Sequence, residues 1–132
     1  MPTQVPQDSL IALVEDSPEV LNVLKRRFAK LVPLYQLITA QTGGEALALV
    51  AGLTVTLAIV DYRLPGGMDG LRIVAALKAT SPHVRTALIT ASPTDTLEAA
   101  TVAAGVDVFL VKPFTLEELD QVVRALLSSA LL

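Results

Sequence analysis

The sequence predicts an α/β domain: a doubly wound, five-stranded parallel sheet carrying five helices. Three observations lead there. Strand-like and helix-like patterns alternate five times along the 132 residues, and such alternation builds a parallel sheet covered by helices on both faces. Four short apolar runs (LIALV, LAIV, ALI and VFLV) are continuous rather than alternating, as in strands buried on both sides. Each of the four stops at a reactive side chain, namely Glu15-Asp16, Asp61, Thr90 and Lys112, whereas the second strand ends in Ala40-Gln41-Thr42. Ligands of open parallel sheets bind beyond the carboxyl ends of the strands, near the point where strand order reverses. The strand without a reactive end therefore belongs at the outer edge, which gives the flavodoxin-like order 2-1-3-4-5.

The elements follow in turn. Residues 10–14 form the first strand, and Ser17-Pro18 then supplies a capping hydroxyl and a proline suited to the first helical position. Val20, Leu21, Leu24, Phe28 and Leu31 recur on one helical stripe before Pro33 ends the helix. Residues 34–40 read as the second strand, and Thr42-Gly43-Gly44 opens a short helix to about Ala51. The third strand covers residues 56–60. The loop LPGGMDG leads into a helix over 71–79, which Ser81-Pro82-His83 breaks. Residues 85–90 are the fourth strand, 94–104 an alanine-rich helix stopped by Gly105, and 107–111 the fifth strand. Thr115-x-x-Glu118 is a capping box for the last helix. That helix carries a wide apolar stripe of Leu119, Val122, Val123, Leu126, Leu127 and Ala130. One domain can bury most of the stripe, and a homodimer through the last helix is the alternative.

Composition narrows the classes. Hydrophobic residues make up 52% and charged residues 17%, which favours an ordered core. Residues 9–132 fit one domain after a flexible lead-in of residues 1–8. With no cysteine, disulfides and thiolate metal sites are excluded. A net charge of −3, with no basic run longer than Lys25-Arg26-Arg27, gives no footprint for nucleic acid. No apolar stretch approaches the roughly 20 residues that span a bilayer, and the N-terminus lacks the pattern of a signal peptide. The expectation is a cytoplasmic protein with neither membrane nor nucleic-acid partner.

The strand ends define the chemistry. Glu15, Asp16 and Asp61 at one sheet edge would repel one another by several kcal/mol at an effective dielectric of roughly 20. A hard divalent cation removes the conflict, and Mg²⁺ (or Mn²⁺) suits oxygen donors with no histidine or cysteine nearby. Asp61 can bind metal or act as a nucleophile that forms an acyl phosphate. Lys112 adds a cation and Thr90 a hydroxyl, the charge neutralisation and positioning that phosphoryl transfer requires. Taken singly, each has a plainer reading: an acidic turn, a β-branched strand residue, a snorkelling lysine.

Together, LIALVEDSPEV, LAIVDYRLPGGMDG, TALITAS and VFLVKPFTLEEL resemble the receiver (phospho-acceptor) domains of two-component response regulators, over about residues 10–127. The resemblance implies that Asp61 accepts a phosphoryl group from a histidine kinase or a histidine phosphotransfer protein. It implies that Asp16 and Asp61 ligate Mg²⁺, with Glu15 helping through water and the backbone carbonyl of Arg63 completing the protein ligands. Lys112 and Thr90 would grip the phosphoryl group, Phe109 would be the aromatic switch coupled to Thr90, and Lys112-Pro113 would be cis. The signal would leave through the face of the fourth helix, fifth strand and fifth helix. Beyond self-phosphorylation and its reversal, the resemblance implies no enzyme activity. Read without it, Phe109 is a strand aromatic in the core.

Two features depart from the family pattern. The loop Pro65-Gly66-Gly67-Met68-Asp69-Gly70 is one residue longer than Pro-x-Met-Asp-Gly, and Arg63 places a long cation two positions beyond the acceptor. Three rivals compete. A flavodoxin-like cofactor binder needs a phosphate loop where Glu15-Asp16 stand. An aspartyl-phosphate phosphatase commonly has a second acid at the position of Arg63. A degenerate receiver acting only as an interaction module would not need Glu15, Asp16, Asp61, Thr90 and Lys112 all intact.

Overall fold

A computed structural model describes residues 9–131, with side-chain surroundings through residue 128. The lead-in expected at residues 1–8 and the side chain of Ala130 in the terminal stripe lie outside what is described. The elements are β1 (Leu10–Val14), α1 (Pro18–Leu31), β2 (Gln36–Ala40), α2 (Gly43–Val50), β3 (Leu57–Asp61), α3 (Gly70–Thr80), β4 (Arg85–Thr90), α4 (Asp95–Ala103), β5 (Val108–Val111) and α5 (Leu116–Leu131). The strands are all parallel in the order β2-β1-β3-β4-β5, as the strand ends predicted.

Alternation along the buried strands sorts side chains onto two faces. Leu10, Ala12, Val14, Ala58, Val60 and Leu88 meet Ala46 and Val50 of α2 and Ile73, Val74 and Leu77 of α3. On the other face Ile11, Leu13, Leu57, Ile59, Ala87 and Ile89 meet Leu24 and Phe28 of α1 and Leu119, Val123, Leu126 and Leu127 of α5. Leu119, Val123, Leu126 and Leu127 of the α5 stripe are thus buried within this domain, with Val122 packed at its margin. A bidentate Arg27–Asp120 ion pair further ties α1 to α5.

Capping follows the sequence. Ser17, Thr42, Thr94 and Thr115 accept from the backbone N–H groups of Val20, Glu45, Leu97 and Glu118, at 3.0–3.3 Å. Glu118 returns the contact to the Thr115 N–H, completing the box. Several boundaries shift by a residue, and two differences have a clear local cause. β2 starts at Gln36 rather than residue 34, because the Tyr35 N–H donates to the Val32 carbonyl and Leu34 is turned out, 72% exposed. α3 starts at Gly70, capped by Asp69, whose Oδ1 accepts from the Arg72 N–H. Among the described residues no helix is long and apolar enough to cross a membrane.

Candidate functional site

The parallel register brings the reactive strand ends level. Val14 lies opposite Val60, Asp61 opposite Ile89, and Thr90 opposite Val111, so the residues that follow emerge at one edge. Glu15, Asp16 and Asp61 each bring a carboxylate oxygen within 4.8 Å of the others. Glu15 is 1% exposed and Asp61 7%, whereas Asp16 opens to solvent. Lys112 reaches back from the end of β5, its Nζ donating to Glu15 Oε1 at 2.7 Å and to Asp61 Oδ2 at 3.2 Å. The second oxygen of Glu15 accepts from the Ser17 N–H at 3.0 Å. Thr90 is buried, and its Oγ1 accepts from the Ser92 N–H at 3.1 Å, leaving the hydroxyl hydrogen free to donate.

The charges in this cluster are uneven. Asp16 is held above the ordinary carboxylate range, first by its hydrogen-bonding contact with the Glu15 carboxyl, then by burial and by the Glu15 charge; its own backbone and Lys112 pull the other way. Burial alone would lower Lys112, but its bonds to Glu15 and Asp61 and their charges win, so the ammonium is held above its usual value. An acid whose folded pKa is raised binds its proton more tightly folded than unfolded. Its contribution to stability is present below the ordinary value of 3.8 and is lost as pH rises through the raised value. Cation-free protein with Asp16→Asn should therefore be more stable than wild type at neutral pH, by a few tenths to about 1 kcal/mol for so open a group. Thermal unfolding with and without Mg²⁺ checks this: the variant should also lose most of the stabilisation that the cation gives wild type.

The remaining predicted residues surround this centre. Arg63 is exposed and, with Tyr62, Leu64, Gly67, Met68, Asp69 and Arg72, lines a polar cleft of about 400 Å³ at the end of β3. Phe109 is half-buried on the α2/α3 face of the sheet, opposite Leu88 and two pairs short of Thr90–Val111. Lys112-Pro113 is cis. The extra loop residue is absorbed by Gly66 and Gly67, with φ of 92° and 80°, a region that favours glycine.

Two features escaped sequence reasoning. Gly70 packs so tightly that a Cβ there would lie 2.5 Å from the Asp61 carbonyl oxygen. The other is a largely apolar cleft of about 550 Å³ between α1 and the β5–α5 junction, lined by Val20, Val23, Leu24, Pro113, Phe114 and Leu116 and reaching Lys112. Its signal was Val23, an apolar residue on the otherwise polar side of α1.

The model of the response regulator receiver domain matches residues 11–124. The chain belongs to that family. The response regulator MprA of Mycobacterium sp. (strain KMS) is 34% identical over 117 residues, 89% of this chain and 50% of that protein. The receiver thus spans about half the length of the curated relatives it matches. Among solved structures, a CheY-like receiver domain protein from Methanospirillum hungatei JF-1 superposes with a TM-score of 0.84 at 23% identity, covering 92% of this chain and 95% of that one. A BeF3-activated DrrB receiver domain superposes with a TM-score of 0.79 at 26% identity, covering 90% and 97%. The first of these similarities speaks to the fold alone.

Proposed function

We propose that Asp61 is the phospho-acceptor of a two-component or phosphorelay pathway, taking its phosphoryl group from a histidine kinase or a histidine phosphotransfer protein in the cytoplasm. The observation that carries this is Lys112 Nζ bridging Glu15 and Asp61, with the Asp16 carboxylate in the same cluster. An oxygen of Asp61 attacks phosphorus, the P–N bond to the donor imidazole breaks, and the electron pair leaves with that nitrogen. The ammonium of Lys112 transfers its contact from carboxylate to phosphoryl oxygen, and the free Thr90 hydroxyl donates to a second one. The all-oxygen donor set of Asp16, Asp61 and the Arg63 carbonyl, with Glu15 helping through water, suits Mg²⁺ or Mn²⁺. When bound, the cation neutralises charge on the transferring group.

Removing the Thr90 hydroxyl from its resting bond and adding a dianionic group shifts a two-state equilibrium only by what the two states bind differently. The α4–β5–α5 face suits the readout. α4 buries only Leu97 and Thr101, and half-buried Phe109 shares the sheet face of Thr90, so the aromatic can follow the hydroxyl. The apolar cleft beside Lys112 suits the donor's docking helix, since Val23 and Leu116 are 50% and 38% exposed there.

Incubation with acetyl phosphate and Mg²⁺ tests the acceptor reading. Intact mass should show a single phosphate adduct that chelator prevents; an unmodified protein under every phosphodonor would refute it. Arg63, exposed two residues beyond Asp61, suits a role in tuning the access of water to the phosphate. The Arg63→Ala variant should change the adduct's lifetime by severalfold, a difference of about 1 kcal/mol in barrier. An unchanged decay rate would discard that role.

A further inference from the structure

We infer that the cleft at the end of β3 is an anion site, built by the side chains of Arg63 and Arg72 to take a small phosphate monoester with a planar or apolar body. The inference goes beyond the acceptor reading and does not need it. The two exposed guanidiniums line one space of about 400 Å³, Arg63 from the loop after β3 and Arg72 from the first turn of α3. That volume lies within the usual range for small-molecule sites. Among the described residues the ion pairs engage Arg27, Arg85 and Lys112, and neither Arg63 nor Arg72 has an acidic partner. Asp69 also lines the cleft, but its Oδ1 accepts from the Arg72 backbone N–H at 3.0 Å and caps α3 instead of pairing with a guanidinium. Two lining cations thus face one lining anion, in a chain whose net charge is −3.

The lining selects the ligand. Arg72 Nη1 makes a long contact with the Gly67 carbonyl, 3.4 Å, which keeps the guanidinium at the rim while its other N–H groups have no partner among the described residues. Gly67 leaves the loop side of that rim bare, since a Cβ there would meet nothing within 4 Å. Half-buried Tyr62, Leu64 and Met68 supply the apolar lining. A phosphate monoester carries up to two negative charges and three acceptor oxygens, enough to meet two guanidinium forks at once. A single carboxylate matches one fork and leaves the second unanswered.

Titration with adenosine monophosphate in buffer free of divalent cations tests the site, read from the amide chemical shifts of Gly67, Asp69 and Arg72. Without a cation, the acidic cluster around Asp61 repels the probe. Saturable binding is expected. Arg72→Gln should weaken it by at least about tenfold, the scale of one charged hydrogen bond, and Arg63→Gln should do the same. Arg26→Gln removes an equal charge from the exposed side of α1 and should leave the affinity within about twofold, because salt screens so distant a charge. Adenosine, which lacks the phosphate, should not move these amides. Absence of saturable binding, an affinity unchanged in Arg72→Gln, an equal loss in Arg26→Gln, or equal binding of adenosine would overturn the inference. No arm reads phosphorylation, so each of these outcomes leaves Asp61 as acceptor untouched.

Discussion

Gly70→Ala is expected to destabilise the domain by about 1–3 kcal/mol, the range for forcing extra volume into a packed site. The added Cβ would stand 2.5 Å from the Asp61 carbonyl oxygen, 2.7 Å from Leu88 Cδ1 and 2.9 Å from Tyr62 Cα. Two of those neighbours are backbone, so no rotamer change relieves the contact. Alanine favours helix by up to about 1 kcal/mol over glycine, which offsets part of the cost. Gly44→Ala is the matched control: it lies near the start of α2, and a Cβ there meets nothing within 4 Å. Denaturant melts should show Gly44→Ala equal to or above wild type and Gly70→Ala clearly below it. Because the Gly70 N–H also donates to the Tyr62 carbonyl at 2.8 Å, the displaced loop should slow acceptance at Asp61 as well.

Asp61→Asn is expected to form no phosphate adduct with acetyl phosphate and Mg²⁺. An amide oxygen is a poor nucleophile, and its NH₂ would point a donor, not an acceptor, at either the cation or Lys112. Wild type and Asp16→Asn bracket the result: the first labels fully, and the second labels slowly because its cation affinity is reduced. An adduct of wild-type size on Asp61→Asn would place the acceptor elsewhere.

Much of this was legible before any fold was known. The four continuous apolar runs identify strands buried on both faces, and their ends name Glu15, Asp16, Asp61, Thr90 and Lys112, which the sheet brings to one edge. The Thr115–Glu118 box was readable because its partners are three residues apart. What sequence could not show depends on neighbours across the sheet. The bridge that Lys112 makes to Glu15 and Asp61 joins residues 97 and 51 positions apart. The crowding at Gly70 comes from Leu88 on β4 and from the backbone of Asp61 and Tyr62 at the end of β3. Leu34 looked like a strand residue because it is apolar, yet the turn closed by Tyr35 on Val32 points it into solvent. The stripe of α5 was legible as apolar, but that it packs in one cluster with residues of β1, β3, β4 and α1 is a matter of packing alone.

The central claim is that phosphorus becomes bonded to the carboxylate at position 61. Borohydride reduces an acyl phosphate to the alcohol, so wild type treated with acetyl phosphate and Mg²⁺, then with borohydride, should yield homoserine at residue 61 on peptide mapping. Homoserine at another acid, or none at all in a protein shown to be folded, would contradict it.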